Sequence, residues 1–276
     1  MDEARLDRRV AAAGGQSSGL HPFRFLAQQR VHLAALLIVF AALPLCAQDV
    51  KFDPALVTQA NFSQFSRIVG QAIFASPVQP ARASGFLGFD VGVAATVVPV
   101  DEKAAYWRAA VPANSSFTTH GYVGVPRLVA SKGFGFGTIS GTYAKISNSG
   151  IATWGGALDT PIIRGGALKP ELALRLSYST LTGIEDFREK TYGAEVFLSK
   201  GFGPITPYAA VGRMRIDARG AVRAGVLAPS PFTLSDKSSM NRYTVGVRLS
   251  LLVPKLVVEA TQAEVRSYAA KISIGF

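Results

Sequence analysis

Tyr268-Ala-Ala-Lys-Ile-Ser-Ile-Gly-Phe276 is the stretch on which the reading of the fold turns. Counted back from Phe276, the residues Phe276, Ile274, Ile272, Ala270 and Tyr268 fall on every second position. Gly275, Ser273, Lys271 and Ala269 fall between them. Side chains of a strand alternate between two faces, so this spacing predicts one apolar face backed by one small or polar face. A soluble β protein can carry such a strand too, so the upstream sequence has to decide which solvent the apolar face meets.

The same period recurs upstream. Phe89, Val91, Val93, Ala95 and Val97 alternate with Gly88, Asp90, Gly92, Ala94 and Thr96. Leu172, Leu174, Leu176 and Tyr178 alternate with Glu171, Ala173, Arg175, Ser177 and Ser179. Tyr192, Ala194, Val196 and Leu198 interleave with Thr191, Gly193, Glu195, Phe197 and Ser199. Tyr208, Ala210, Gly212, Met214 and Ile216 interleave with Ala209, Val211, Arg213, Arg215 and Asp217, and Tyr243 to Leu251 repeats the pattern around Arg248. Three less regular segments, Tyr122–Ala130, Phe134–Ile146 and Ile151–Ile163, together with Leu256–Gln262 bring the count to ten strands. The register slips near Gly137, which predicts a β-bulge. Short links rich in turn residues (131–133, 164–166, 200–204, 254–255) alternate with longer polar ones (100–119, 182–190, 219–239). A tight Ser147-Asn148-Ser149-Gly150 is the exception among the latter.

A terminal strand closing on an aromatic, after strands joined by alternating short and long links, resembles the bacterial outer-membrane β-barrel superfamily over residues 86–276. The resemblance implies an all-β, transmembrane, antiparallel up-and-down β-barrel of about ten strands with a short N-terminal helix. It also implies a carboxy-terminal assembly signal (Tyr268, Ala270, Ile272, Ile274, Phe276) for the barrel-assembly machinery. In hydrocarbon every backbone N–H and C=O must be paired, so a sheet has to close on itself. The apolar faces are then expected outward, against outer-membrane lipids, with tyrosines as interfacial anchors. The lumen is expected to hold Asp90, Glu171, Arg175, Glu195, Arg213, Arg215, Arg248 and Glu259, with Lys271 beside them. In a narrow ten-strand barrel these charges pair across the centre and fill it. The alternative is a narrow pore for small anionic solutes lined by Arg175, Arg213, Arg215 and Arg248. An even strand number puts both chain ends in the periplasm.

Composition agrees with a barrel. Of 276 residues 49% are hydrophobic, only 17% are charged, and 27 are Gly. No apolar run after residue 50 has the length of a transmembrane helix. The net charge is +11, of which five arginines against three acids in residues 1–47 contribute little. The remaining basic residues are dispersed, which argues against nucleic acid as a partner. Val31–Leu45 is a short apolar core behind Arg24 and Arg30, followed by Cys46-Ala47. This reads as a secretory signal peptide cleaved after Ala47. Its Cys46 is the single cysteine of the chain. Residues 48–84 then form a helical segment: Asp53-Pro54 starts a helix, and Phe62, Phe65, Ile68, Val69 and Ile73 recur at helical steps. Either a plug inside the barrel or a periplasmic helix on its rim fits this pattern. Residues 85–276 are the barrel.

Catalytic chemistry has one foothold, His120, beside Thr118 and Thr119 and near Ser115 and Ser116. With Asp101 or Glu102 it would suit a membrane-embedded lipid hydrolase. The main expectation is a non-enzymatic protein, a narrow channel or a surface-exposed structural or binding protein. A soluble secreted barrel with the apolar face turned inward around a ligand is a further alternative. No Cys or His cluster suggests a metal, and no motif suggests a cofactor. Gly133-Phe-Gly-Phe-Gly137 lacks the Lys-Ser/Thr ending of a phosphate loop.

Overall fold

The computed structural model describes residues 50–276 apart from 82–84, 112–120, 146–149, 167, 225–229 and 252. Eleven strand segments follow in chain order: β1 (Phe89–Pro99), β2 (Tyr122–Phe134), β3 (Gly137–Lys145), β4 (Ala152–Ile163), β5 (Glu171–Thr182), β6 (Phe187–Ser199), β7 (Ile205–Val222), β8 (Phe232–Asp236), β9 (Ser239–Ser250), β10 (Pro254–Gln262) and β11 (Arg266–Gly275). β8 and β9 keep one register against β7, from Val222↔Phe232 to Ile205↔Leu249, with Lys237 and Ser238 between them. They make a single stave, so the sheet has ten. Each stave pairs antiparallel with the next in sequence, and β1 pairs with β11 to close the ring. The result is a closed antiparallel ten-strand β-barrel with short helices.

The termini of β1 and β11 define one end. Phe89 and Phe276 exchange backbone hydrogen bonds there, and their rings meet edge to face at 4.4 Å. The connections at this end have seven residues or fewer: Gly135-Phe136 between β2 and β3, then 164–170, 200–204 and 251–253. The expected link at 131–133 is instead paired strand, and the supposed bulge near Gly137 is the true turn. Two-residue hairpins leave no slack for a slipped register. The register shift that does occur lies between Pro161 and Ile163, where proline cannot donate to the ladder. At the opposite end are the two longest connections, 100–121 and 223–231, the first carrying the one-turn helix α2 (Ala105–Arg108), together with 146–151 and the shorter 183–186 and 263–265.

Helix α1 (Gln59–Ile73) begins at Thr58, whose hydroxyl accepts the N–H of Asn61. Asp53, expected to start the helix, makes a separate turn through Ala55, Leu56 and Val57. The helix buries Phe62, Phe65, Ile68 and Ile73 inside the long-loop end of the barrel. Residues 74–81 then run down the lumen towards the start of β1, buried except for the half-buried Ser76 and bent at Val78, whose φ is +49°. The described part of the chain begins at the long-loop end, whereas both chain ends are expected at the other. Lys51 and Asp53 donate backbone bonds to Ala110 and Ala109, at the long-loop end, so the chain enters there and threads the barrel lengthwise. The proposed signal peptide lies outside the described residues.

Candidate functional site

The centre of the barrel is the site, and the threaded segment occupies it. Charged side chains from the inner wall hold that segment along its length. Near the short-turn end Asp90 takes Lys271 at 2.8 Å, Lys255 at 3.3 Å and the Ser273 hydroxyl at 3.0 Å. Lys271 also donates to the Gln79 side chain at 2.7 Å. Arg175 grips Asp159 with two bonds, 2.6 and 2.8 Å, donates to the Gln79 carbonyl at 3.0 Å, and lies 4.3 Å above the Phe197 ring. Farther along, Glu259 accepts the Tyr208 hydroxyl at 2.6 Å and the Ser76 hydroxyl at 3.4 Å. Arg242 pairs with Glu195 at 3.2 Å and covers the Phe74 ring at 4.0 Å. Arg127 donates to the carbonyls of Ala72 and Phe74 and to Thr96. A helix leaves its last carbonyls without partners, and here a guanidinium from the wall supplies donors at the negative end of the dipole.

Above these charges the lumen turns apolar. Phe52, Phe62, Phe65 and Phe187 pack edge to face with centroids 5.4–6.0 Å apart, and Trp107 of α2 joins Phe65 at 6.1 Å. The wall beneath them is Met214, Ile216, Ala218 and Val222 of β7. Burying each large side chain contributes roughly 1.5–3 kcal/mol, so this cap holds the helix firmly in the mouth. Tyr106 closes its margin: burial raises its phenol above the ordinary value, and the oxygen accepts the Asp101 N–H at 2.8 Å. Two buried polar side chains here lack a hydrogen-bond partner among the described residues, Ser66 of α1 and Glu189 of β6. Glu189 is fully buried, and neither carboxylate oxygen has a hydrogen-bond partner among the described residues.

Where the segment presses on the wall, the wall residue is glycine. A Cβ at Gly193 would collide with the Phe74 ring, and one at Gly220 would meet Phe62. Gly193→Leu is therefore expected to lower stability by about 1–3 kcal/mol or more through overpacking. Gly141, whose added Cβ meets nothing within 4 Å, should accept leucine with little effect. Urea midpoints of the two variants in lipid vesicles provide the comparison.

Of the lumen residues expected from sequence, Asp90, Arg175, Glu195 and Glu259 line the interior. Glu171 takes the face of Arg175, half-buried at the turn end of β5, and Arg248 reaches Thr206 at 3.2 Å. Arg213 and Arg215 do not belong there. Both are exposed on the outer wall, while Tyr208, Ala210, Met214 and Ile216 turn inward. The apolar cap needs an apolar inner wall at this height, so β7 is reversed relative to the expectation. A pore lined by Arg175, Arg213, Arg215 and Arg248 therefore loses two of its four arginines. Arg127, Asp159 and Arg242 are lumen residues that the sequence did not reveal. Tyr268, Ile272, Ile274 and Phe276 are exposed on the outer face of β11; Ala270 shares that face but is covered by its neighbours.

His120, Ser115, Ser116, Thr118 and Thr119 lie outside the described residues. Glu102 accepts the Gly121 N–H, and Asp101 accepts that of Lys103. The described residues hold no group of three or more His, Cys, Asp or Glu arranged for a metal. The outer wall carries Val91, Leu128, Leu176, Leu198, Val211, Val245 and Ile272 exposed, the opposite of a soluble barrel with an apolar interior.

No protein-family profile matches the chain, and no curated protein matches it in sequence. Among solved structures it is similar to Neisserial surface protein A at 11% identity and a TM-score of 0.28, covering 68% of this chain and 94% of that one. It is likewise similar to Ail, the attachment invasion locus protein of Yersinia pestis, at 9% identity and a TM-score of 0.25, covering 68% and 95%. Scores this low add nothing to what the strand pairing establishes. By its own closed ring of ten staves, apolar outside and charged within, the chain has the fold of the outer-membrane β-barrels.

Proposed function

We propose that this chain is a non-enzymatic outer-membrane protein whose barrel is shut by its own amino-terminal segment, and that it acts through the surface at its long-loop end as a structural or binding protein. The observation that carries this reading is the occupied lumen. Residues 74–81 lie buried within it, tied to the wall by Arg127, Arg175, Lys271 and Glu259. A ten-strand ring is wider than the eight-strand barrel that side chains alone can fill, and the extra width takes one extended chain. The exposed apolar wall and the fully paired backbone ring favour a bilayer as solvent. Outer-membrane barrels keep short turns on the periplasmic side. In that orientation α1 and α2 face the exterior, and the chain at Val50 reaches the cell surface.

The purified chain, shown to be folded by a heat-dependent gel shift, is expected to give no current steps in a planar bilayer. Regular steps from the intact folded chain would overturn the closed-barrel reading in favour of a channel.

A further inference from the structure

The face of α1 that carries Phe62, Ser66 and Gly70 runs along the inner wall of β7. Phe62 fills the space that a side chain on Gly220 would take, and Gly70 lies against Ile216. Residues four apart on a helix share a face, so Ser66 is set over Ala218, midway between these two contacts. The ladder flanks Ala218 with Glu189 of β6 on one side and Asp236 of β8 on the other. Ser66, Ala218, Glu189 and Asp236 are all buried. Three oxygen-bearing side chains from three elements thus meet at one level inside the aromatic cap.

They do not satisfy one another. The Ser66 hydroxyl and both carboxyl oxygens of Glu189 have no hydrogen-bond partner among the described residues, while Asp236 accepts the Ser238 hydroxyl at 2.6 Å. The Glu189 carboxyl abuts the helix so closely that a Cβ added at Gly70 would collide with its Oε1. Its other neighbours are neutral: Leu181 opposite on β5, and Ala218 and Ile216 on β7. Arg188, Lys190, Asp217 and Arg219 lie on the outer face of the same strands. Arg67, next to Ser66 on the helix, is directed at Glu264, 3.7 Å away. Among the described residues, the titratable group that faces Glu189 is therefore Asp236, a second acid. Inside an apolar cap a neutral carboxyl only forgoes hydrogen bonds, whereas a carboxylate without a cation or donor is far more costly.

We propose that Glu189 is a proton-operated latch on α1: the helix stays seated while this carboxyl is neutral, and loosens from the wall when the carboxyl ionises and draws in water. The loosening is confined to the cap. Residues 74–81 keep their bonds to Arg127, Arg175 and Lys271, so the barrel stays shut while the surface at its long-loop end rearranges. The inference rests on the reading of the amino-terminal segment as the plug.

The test uses the full chain carrying Trp154→Phe in lipid vesicles, which leaves Trp107, packed against Phe65 of α1, as the single tryptophan. Acrylamide, a neutral quencher indifferent to the charges of the outer wall, reports the access of water-borne molecules to the cap. The scan runs from about pH 5 to about pH 9.5, a span that covers the ionisation of buried carboxyls. Quenching of Trp107 is expected to rise several-fold with pH when Glu189 is present, and to stay low throughout in E189Q. Should E189Q fail to fold, E189M provides the same comparison. Quenching that stays low at every pH in both proteins, or that rises equally in both, overturns the latch and leaves the plug in place. Strong quenching at every pH, with and without the substitution, means that the cap is not seated at all, and removes the closed-barrel reading together with the inference.

Discussion

A chain lacking residues 50–81 is expected to conduct ions where the intact chain is silent. The ring does not depend on the segment for closure: every stave pairs with its neighbours through backbone bonds, including β1 with β11. The shortened barrel should therefore still fold and still show a heat-dependent gel shift. What it loses is the filling. Phe62, Phe65, Ile68 and Phe74 no longer stop the mouth, and Gln79 no longer bridges Arg175 and Lys271. The inner-wall charges that held the segment then face an open path, and water replaces the segment as their partner. Discrete current steps across a planar bilayer, absent for the intact chain, are the expected result. A folded but silent deletion variant would mean that the wall side chains collapse into the space and that the segment is not the plug.

The second large effect concerns the buried ion pair of Arg175 and Asp159 in the lumen. The side chains of Arg175 and Asp159 are 0% and 1% exposed. Arg175→Ala leaves the carboxylate buried without its partner, and breaking such a pair costs about 3–5 kcal/mol. The pair itself is a weak net stabiliser, because desolvation offsets most of the attraction. Arg175→Met with Asp159→Leu should accordingly recover most of the loss. A residue of about 1 kcal/mol should remain for the missing bond to the Gln79 carbonyl. Urea unfolding in lipid vesicles measures both. By contrast, Arg223 pairs with Glu185 and Asp186 in an exposed loop, and Arg223→Ala should leave the midpoint where it is. If the single and double lumen variants lose equal stability, the arginine acts through its packing on Phe197 and not through its charge.

Much of this architecture is legible in the sequence, and the failures have a common cause. Alternation tells which residues share a face, not which face looks inward. In β1, β5, β6, β9 and β11 the apolar set is also the outward set, as a bilayer requires. In β7 the rule inverts along the strand. Its upper inner face meets the apolar cap, so Met214 and Ile216 turn in, and Arg213 and Arg215 are left outside. The partners of the lumen charges were hidden for a different reason. Arg127 and Asp159 lie on strands whose alternation is irregular, and Arg242 precedes the point where the pattern of β9 becomes clear. The helical period of residues 62–73 was visible, but an amphipathic helix presents the same stripe to a rim as to a lumen. Gly193 and Gly220 mark the close approach of the segment, and that signal is readable only once the inner face is known.

The chain has two tryptophans, and they stand on opposite sides of the wall. Trp154 is 51% exposed on the outer face beside Tyr178, whereas Trp107 is buried in the cap against Phe65. Fluorescence quenching by lipids brominated along the acyl chain, with Trp107→Phe and Trp154→Phe variants folded into the same vesicles, separates them. Strong quenching of Trp154 and none of Trp107 is the predicted result. Equal quenching of both, or quenching of Trp107 alone, would contradict an apolar wall that faces lipid around a lumen filled by the chain itself.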